Sequence, residues 1–312
     1  MRNPDAYAEI IPPKSKVHAQ GDTIWLDPSK AGQTLRDAWI WGSGRTAVIS
    51  SNTPQVPLGP ITFRNCAFAV DWASMWGMRV YGITDWLIKR CYFWNFGLIK
   101  EGHGMYADIF GSNAWENCLF DELGGQGVQL VFRKGNAPTP RPVEGTQIFK
   151  KCRFKHNTWN PDRGASQLAI YNLGSEQDVI IEDSKFICDY EEIGRAKYKG
   201  YNSKAAITIV PVGNGKEWWQ LPDDTPFTQN VASIRKTEVY HTNPERSVVN
   251  IKGCRVVEIT DCIVDEGVVD IDHPSQAGRK AEKITVLGCS GNATLRVGGK
   301  VVGPISQDYT GE

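Results

Sequence analysis

Several things are scarce or missing in this sequence, and each absence narrows the reading. Among 312 residues no run approaches the roughly 18 apolar positions that a membrane-spanning helix needs, so no membrane insertion is expected. The opening MRNPDAYAEIIPPKSK holds no apolar stretch of roughly 7–15 residues, as a secretory signal would, and synthesis in a cytosol is expected, with secretion the alternative if the chain has been shortened. There is no excess of either charge: Lys+Arg and Asp+Glu are both 35, so nothing draws the whole molecule to nucleic acid. There is no Cys-x-x-Cys pair, and Cys254 with Cys262 lacks zinc-site spacing; neither a metal nor a cofactor is expected. In a reducing compartment the 8 cysteines have no reason to pair. Helical periodicity is missing as well.

What is present is a repeat. The stretch ITFRNCAFAV (61–70) returns as LIKRCYFWNF from Leu87, AWENCLFDEL from Ala114 and IFKKCRFKHN from Ile148. Aligned on the cysteine, one column reads Cys66, Cys91, Cys118, Cys152, Ser184, Thr237, Cys262, Cys289. Three residues earlier stand Phe63, Ile88, Trp115, Phe149, Ile181, Ile234, Ile259 and Val286. Two residues later stand Phe68, Phe93, Phe120, Phe154, Phe186, Val239 and Val264, and the last row breaks the pattern at Gly291. In most rows a second alternating segment comes first, with Met78/Val80, Met105/Ala107, Val128/Leu130, Leu168/Ile170, Ile207/Ile209, Val249/Ile251 and Val269/Ile271 on its inward side. The tight rows are about 25–27 residues long, too short for a propeller blade and without the Leu/Asn pattern of a leucine-rich repeat. A β-solenoid remains, all-β, with one row per coil and like positions stacked. Asn65, Asn117, Asp183 and Asp261 precede the column and suit a tight bend, because Asn and Asp tolerate the left-handed region. The column itself is expected to be core, since a buried cysteine acts as a small hydrophobe.

These rows resemble coils of a right-handed parallel β-helix of the pectate-lyase-like superfamily, most closely phage tailspike and virion β-helix proteins. The resemblance implies about 8–10 coils: a β-helix over 61–300, an N-terminal arm and capping coil over 1–60, and a polar C-terminal tail over 301–312. It does not imply an activity, because the superfamily includes lyases, hydrolases and tailspikes. Gly102–His103–Gly104 resembles one motif of polygalacturonase-type hydrolases, but the companion Asn-Thr-Asp and Arg-Ile-Lys motifs are missing. VDIDH (269–273) is similar to a pectate-lyase element without its Trp, and Asp270 and Asp272 read as exposed, solvated carboxylates.

The search for function therefore turns to outward residues. One outward column of the second segment reads Arg79, Tyr106, Gln129, Ala169, Thr208, Asn250, Asp270. Its neighbour reads Tyr81, Asp108, Val131, Tyr171, Val210, Lys252, Asp272. Aromatics among amides suit a sugar chain, while Val131 and Val210 suit a subunit interface, and both readings stay open. Candidate glycan contacts are Arg79, Tyr81, Tyr106, Gln129 and Tyr171, with Trp159, Trp218 and Trp219 from inserted loops. If the chain is an enzyme, the acid/base candidates are Asp108, Asp121, Glu122 and His103. The expected function is a bacteriophage virion structural protein of tailspike, spike or decoration type, made in the host cytoplasm. It would be a homotrimer bound to a surface polysaccharide or to other virion proteins. The alternative is a polysaccharide lyase or glycoside hydrolase acting on an acidic polysaccharide.

Overall fold

A computed structural model describes residues 16–19, 24–26, 32, 34–42, 46–50, 61–70, 76–80, 85–95, 103–108, 111–131, 144–157, 166–171, 177–188, 205–211, 229–274 and 279–312. Within them the chain forms 30 strands and no helix. The strands fall into three sheets of nine, 11 and 10 strands, in which every third strand of the sequence joins the same sheet until the last two strands of the 11-stranded sheet. Up to Thr294–Val297 the pairings between consecutive coils are parallel, as in Leu119–Asp121 on Arg153–Lys155 and Val128–Val131 on Ser166–Tyr171. This is a parallel β-helix. Each coil runs from the 10-stranded sheet (third) through a bend to the nine-stranded sheet (first), round a corner to the 11-stranded sheet (second), and back. The pattern starts before residue 61, because Lys16–Ala19, Ile24–Leu26 and Thr34–Arg36 each pair with the following coil.

The alternation seen in the sequence is the cause of this shape. Side chains of a strand alternate between faces, so each apolar column lies inside and each polar one outside. Every inward residue of the second segment, from Met78/Val80 to Val269/Ile271, is buried in one continuous core. Phe68, Phe93, Phe120, Phe154 and Phe186 form a stacked file with ring centroids 4.8, 4.7, 4.7 and 4.6 Å apart. That spacing matches the strand separation of about 4.8 Å, so each ring keeps its rotamer while meeting the next face to face.

The bend before the cysteine column has one conformation throughout. Asp37, Asn65, Arg90, Asn117, Lys151, Asp183, Lys236 and Asp261 have φ between 47° and 54°, and Gly288 stands at 63°. Asn, Asp and Gly accept this left-handed region; Arg90, Lys151 and Lys236 occupy it without such a local preference. Backbone pairing continues straight through the bend, as in Asn117 N–H to Lys150 O (2.8 Å) and Leu119 N–H to Cys91 O (2.9 Å). The column cysteines are buried free thiols that point at a carbonyl of the preceding coil, such as Cys118 Sγ to Ile88 O at 3.3 Å and Cys152 Sγ to Trp115 O at 3.3 Å. Ser184 makes the same contact with Phe149 O at 3.3 Å. Burial pushes the Cys91 and Cys152 thiols up. Cys188 and Cys254, outside the column, are likewise buried.

The C-terminal end closes differently. Lys300–Pro304 pairs antiparallel with Thr294–Val297, and Tyr309–Gly311 antiparallel with Lys283–Leu287. Ile305 between them is buried against the last coil's core, with Tyr309 packed beside it. The segment read as a polar tail thus covers the end of the solenoid.

Candidate functional site at the corner of the first and second sheets

The outward columns of the second sheet stand in the register that the sequence indicated: Arg79, Tyr106, Gln129, Ala169, Thr208, Asn250 and Asp270 are successive partners. Their exposure differs along the axis. Arg79, Tyr106, Gln129 and Tyr171 are part-exposed, whereas Ala169, Thr208, Val210 and Lys252 are buried. The expectation that Asp270 and Asp272 are exposed is corrected: they are 4% and 3% exposed. Asp270 accepts a hydrogen bond from Arg296 Nη2 at 2.8 Å, and Asp272 accepts one from the Ala281 N–H at 2.7 Å. Desolvation raises both carboxyls despite these partners. Among the described residues the early coils therefore leave most of this face open, with Asn250 part-exposed further along.

On those early coils several candidate residues meet at the corner between the first and second sheets. Asp121 ends Leu119–Asp121 on the outer side of the first sheet and is buried; Glu122 follows at φ 50° and is part-exposed. In the next coil Arg153–Lys155 leads to His156 at φ 51°, fully buried. Equivalent positions in adjacent coils project the same way, so Glu122 and His156 stack. One carboxylate oxygen each of Asp121 and Glu122 and a ring nitrogen of His156 all lie within 4.8 Å of one another. Tyr92, one coil earlier and in register with Leu119, donates its hydroxyl to Asp121 Oδ2 at 3.4 Å. Beside it Trp94 is in register with Asp121, and the Tyr92 and Trp94 rings lie parallel within 7° at 6.0 Å.

The other side of the corner is built from amides and rings. His103 Nδ1 accepts the Gln126 N–H at 3.0 Å, and its ring lies 6.4 Å from that of Tyr106. This approach requires Gly125, where a Cβ would fall 2.6 Å from His103 Nδ1. Gln126 Nε2 reaches the Tyr171 hydroxyl at 3.4 Å, and burial pushes that phenol up to about 12. Asn157 braces the corner from within: its Oδ1 accepts the Leu123 N–H at 3.0 Å and its Nδ2 donates to Phe120 O at 3.0 Å.

No family model, curated protein or solved structure matches the chain.

Asp121 and Glu122, proposed together from sequence, are thus neighbours, and His103 contacts the segment that follows them. Asp108 lies in the strand His103–Asp108, in register with Val131, but its side chain is outside the described residues, as are Tyr81, Trp159, Trp218 and Trp219. His156 was missed. Its signal was the fourth position after the column residue, where successive coils carry Glu122, His156, Cys188 and His241. Tyr92 and Trp94 were missed because they alternate with the core phenylalanine Phe93 and read as part of one apolar run.

Proposed function

We propose that this chain is the β-helical body of a bacteriophage virion protein of the pectate-lyase-like type, a tailspike, spike or decoration protein. In this proposal it assembles as a homotrimer and binds a surface glycan across the corner of its early coils. The observation that carries the glycan part is the part-exposed Trp94 ring, backed by the buried parallel ring of Tyr92 and in register with Asp121. Aromatic faces pack on the apolar faces of sugar rings, while an adjacent carboxylate, amide and imidazole take the hydroxyls. Buried free thiols suit a protein assembled under reducing conditions, as a virion component made in the host would be.

Tryptophan fluorescence titrated with capsular and O-antigen polysaccharides tests the reading. Binding is expected with at least one, and Trp94→Ala should weaken it tenfold or more. A full panel that leaves the emission unchanged, or a folded variant that binds like the parent, would count against it. Light scattering should give three times the chain mass; a monomer would remove the trimer.

One observation favours cleavage as a second reading. Asp121 and Glu122 hold carboxylate oxygens within 4.8 Å, close to the roughly 5–5.5 Å that retaining glycosidases use. Glu122→Gln should then abolish the release of reducing ends from a bound polysaccharide without abolishing binding.

A further inference from the structure

We propose that Asp121, Glu122 and His156 bind a divalent transition-metal ion of the Zn²⁺ or Mn²⁺ class. The inference does not depend on the glycan reading, although Asp121 belongs to both. Three kinds of observation converge on it. The donor set is mixed: two carboxylates and an imidazole offer atoms within 4.8 Å of one another. Carboxylate with imidazole suits borderline dications, whereas calcium takes six or more oxygen ligands. Bonds of about 2.1 Å bring donors about 3.4 Å apart in a tetrahedral site, a closure that takes rotation of both the Asp121 and Glu122 side chains toward His156.

The fold also accounts for the convergence. Glu122 and His156 occupy the same left-handed corner position in adjacent coils, with Glu122 N–H bonded to Lys155 O and His156 N–H bonded to Ile187 O, both at 2.9 Å. The column continues with Cys188 and His241, but these are engaged elsewhere: Cys188 Sγ accepts from Gln167 Nε2, and His241 Nδ1 accepts the Asn243 N–H. The donors that converge therefore come from the first two of these coils.

Burial adds an electrostatic reason. Asp121 is 5% exposed with a second carboxylate beside it, and two like charges at that range in a poorly solvated place repel. Lys155 is in register with Asp121 and supplies one positive charge on the same outer face. A dication placed between the two carboxylates relieves their mutual repulsion. Glu122 is part-exposed, which gives the ion a route from solvent and leaves a coordination position on that side.

The test is titration calorimetry of the full chain with ZnCl₂, MnCl₂ and CaCl₂, paired with electron paramagnetic resonance of bound Mn²⁺. One equivalent of Zn²⁺ or Mn²⁺ is expected to bind, at least tenfold tighter than Ca²⁺. Glu122→Gln and His156→Asn should each weaken it tenfold or more; Asn is chosen because it accepts the left-handed conformation. If His156→Asn fails to fold, the part-exposed Glu122→Gln decides alone. Absence of saturable Zn²⁺ or Mn²⁺ binding, equal affinity for Ca²⁺, or undiminished binding by folded Glu122→Gln would each overturn the proposal.

Discussion

At the residue scale, the left-handed bend is the most demanding feature of the chain. Lys151 sits there at φ 54° and is exposed, so nothing but backbone preference governs the choice of residue. Lys151→Asn should raise unfolding free energy by about 0.5–1 kcal/mol, measured by urea denaturation; a loss of stability would contradict this account of the bend. Asp272 gives a pH-dependent case. Its carboxyl is raised above the ordinary carboxylate value, chiefly by burial. The folded form therefore holds the proton more tightly than the unfolded form, and that stabilisation is complete at low pH and lost as pH rises through the raised value. Asp272→Asn keeps an acceptor for Ala281 N–H and removes the titration. Its stability relative to the parent should improve between about pH 4 and pH 7, read from urea midpoints. The site was only partly legible at this scale: Asp121 and Glu122 are adjacent in sequence, but His156 comes from the next coil. Its proximity follows from coil length and register, not from local spacing.

At the scale of the element, stability depends on columns more than on single strands. Phe120 touches a parallel ring on each side, Phe93 and Phe154, at 4.7 Å. Phe120→Ala should cost about 3–5 kcal/mol, since the rigid stack cannot close over the gap. Cys118→Ser is the contrasting case. Ser184 already fills this column, donating to Phe149 O and accepting from Cys152 N–H, and a serine at 118 finds the same carbonyl environment. A cost below about 1.5 kcal/mol is expected, against which a larger loss of denaturation midpoint would weigh. A buried amide ladder runs parallel to these columns. Asn113 Nδ2 donates to Gln147 Oε1 at 2.9 Å, and Gln147 Nε2 to Gln177 Oε1 at 2.8 Å. Columns of this kind are why the architecture could be read from sequence, since a period-2 pattern repeated in register has few other solutions. The ladder was not anticipated, because polar residues at inward positions look like errors until their partners in adjacent coils are known.

At the scale of the whole molecule, contacts run mainly from coil to coil, so the ends carry a special burden. Lys300–Pro304 and Tyr309–Gly311 turn two of the sheets antiparallel, and Ile305 seals the core between them. Truncation after Gly299 should expose that core and yield particles larger than those of the full chain in light scattering, with a lower urea midpoint. Unchanged particle size would mean that the last parallel coil protects itself. Burial along the second sheet also divides the molecule, with part-exposed outward residues in the early coils and mostly buried ones from Ala169 onward, Tyr171 and Asn250 excepted. Sequence indicated the order of that column correctly but not this division, because burial on an outer face depends on what lies over it. The phenylalanine file has one more consequence. Its near-constant step of 4.6 to 4.8 Å makes the solenoid a graduated ruler. Any two outer groups at like positions are separated by a whole number of graduations, and removing one complete coil would shorten every such distance across it by one mark while leaving the rest of the scale intact.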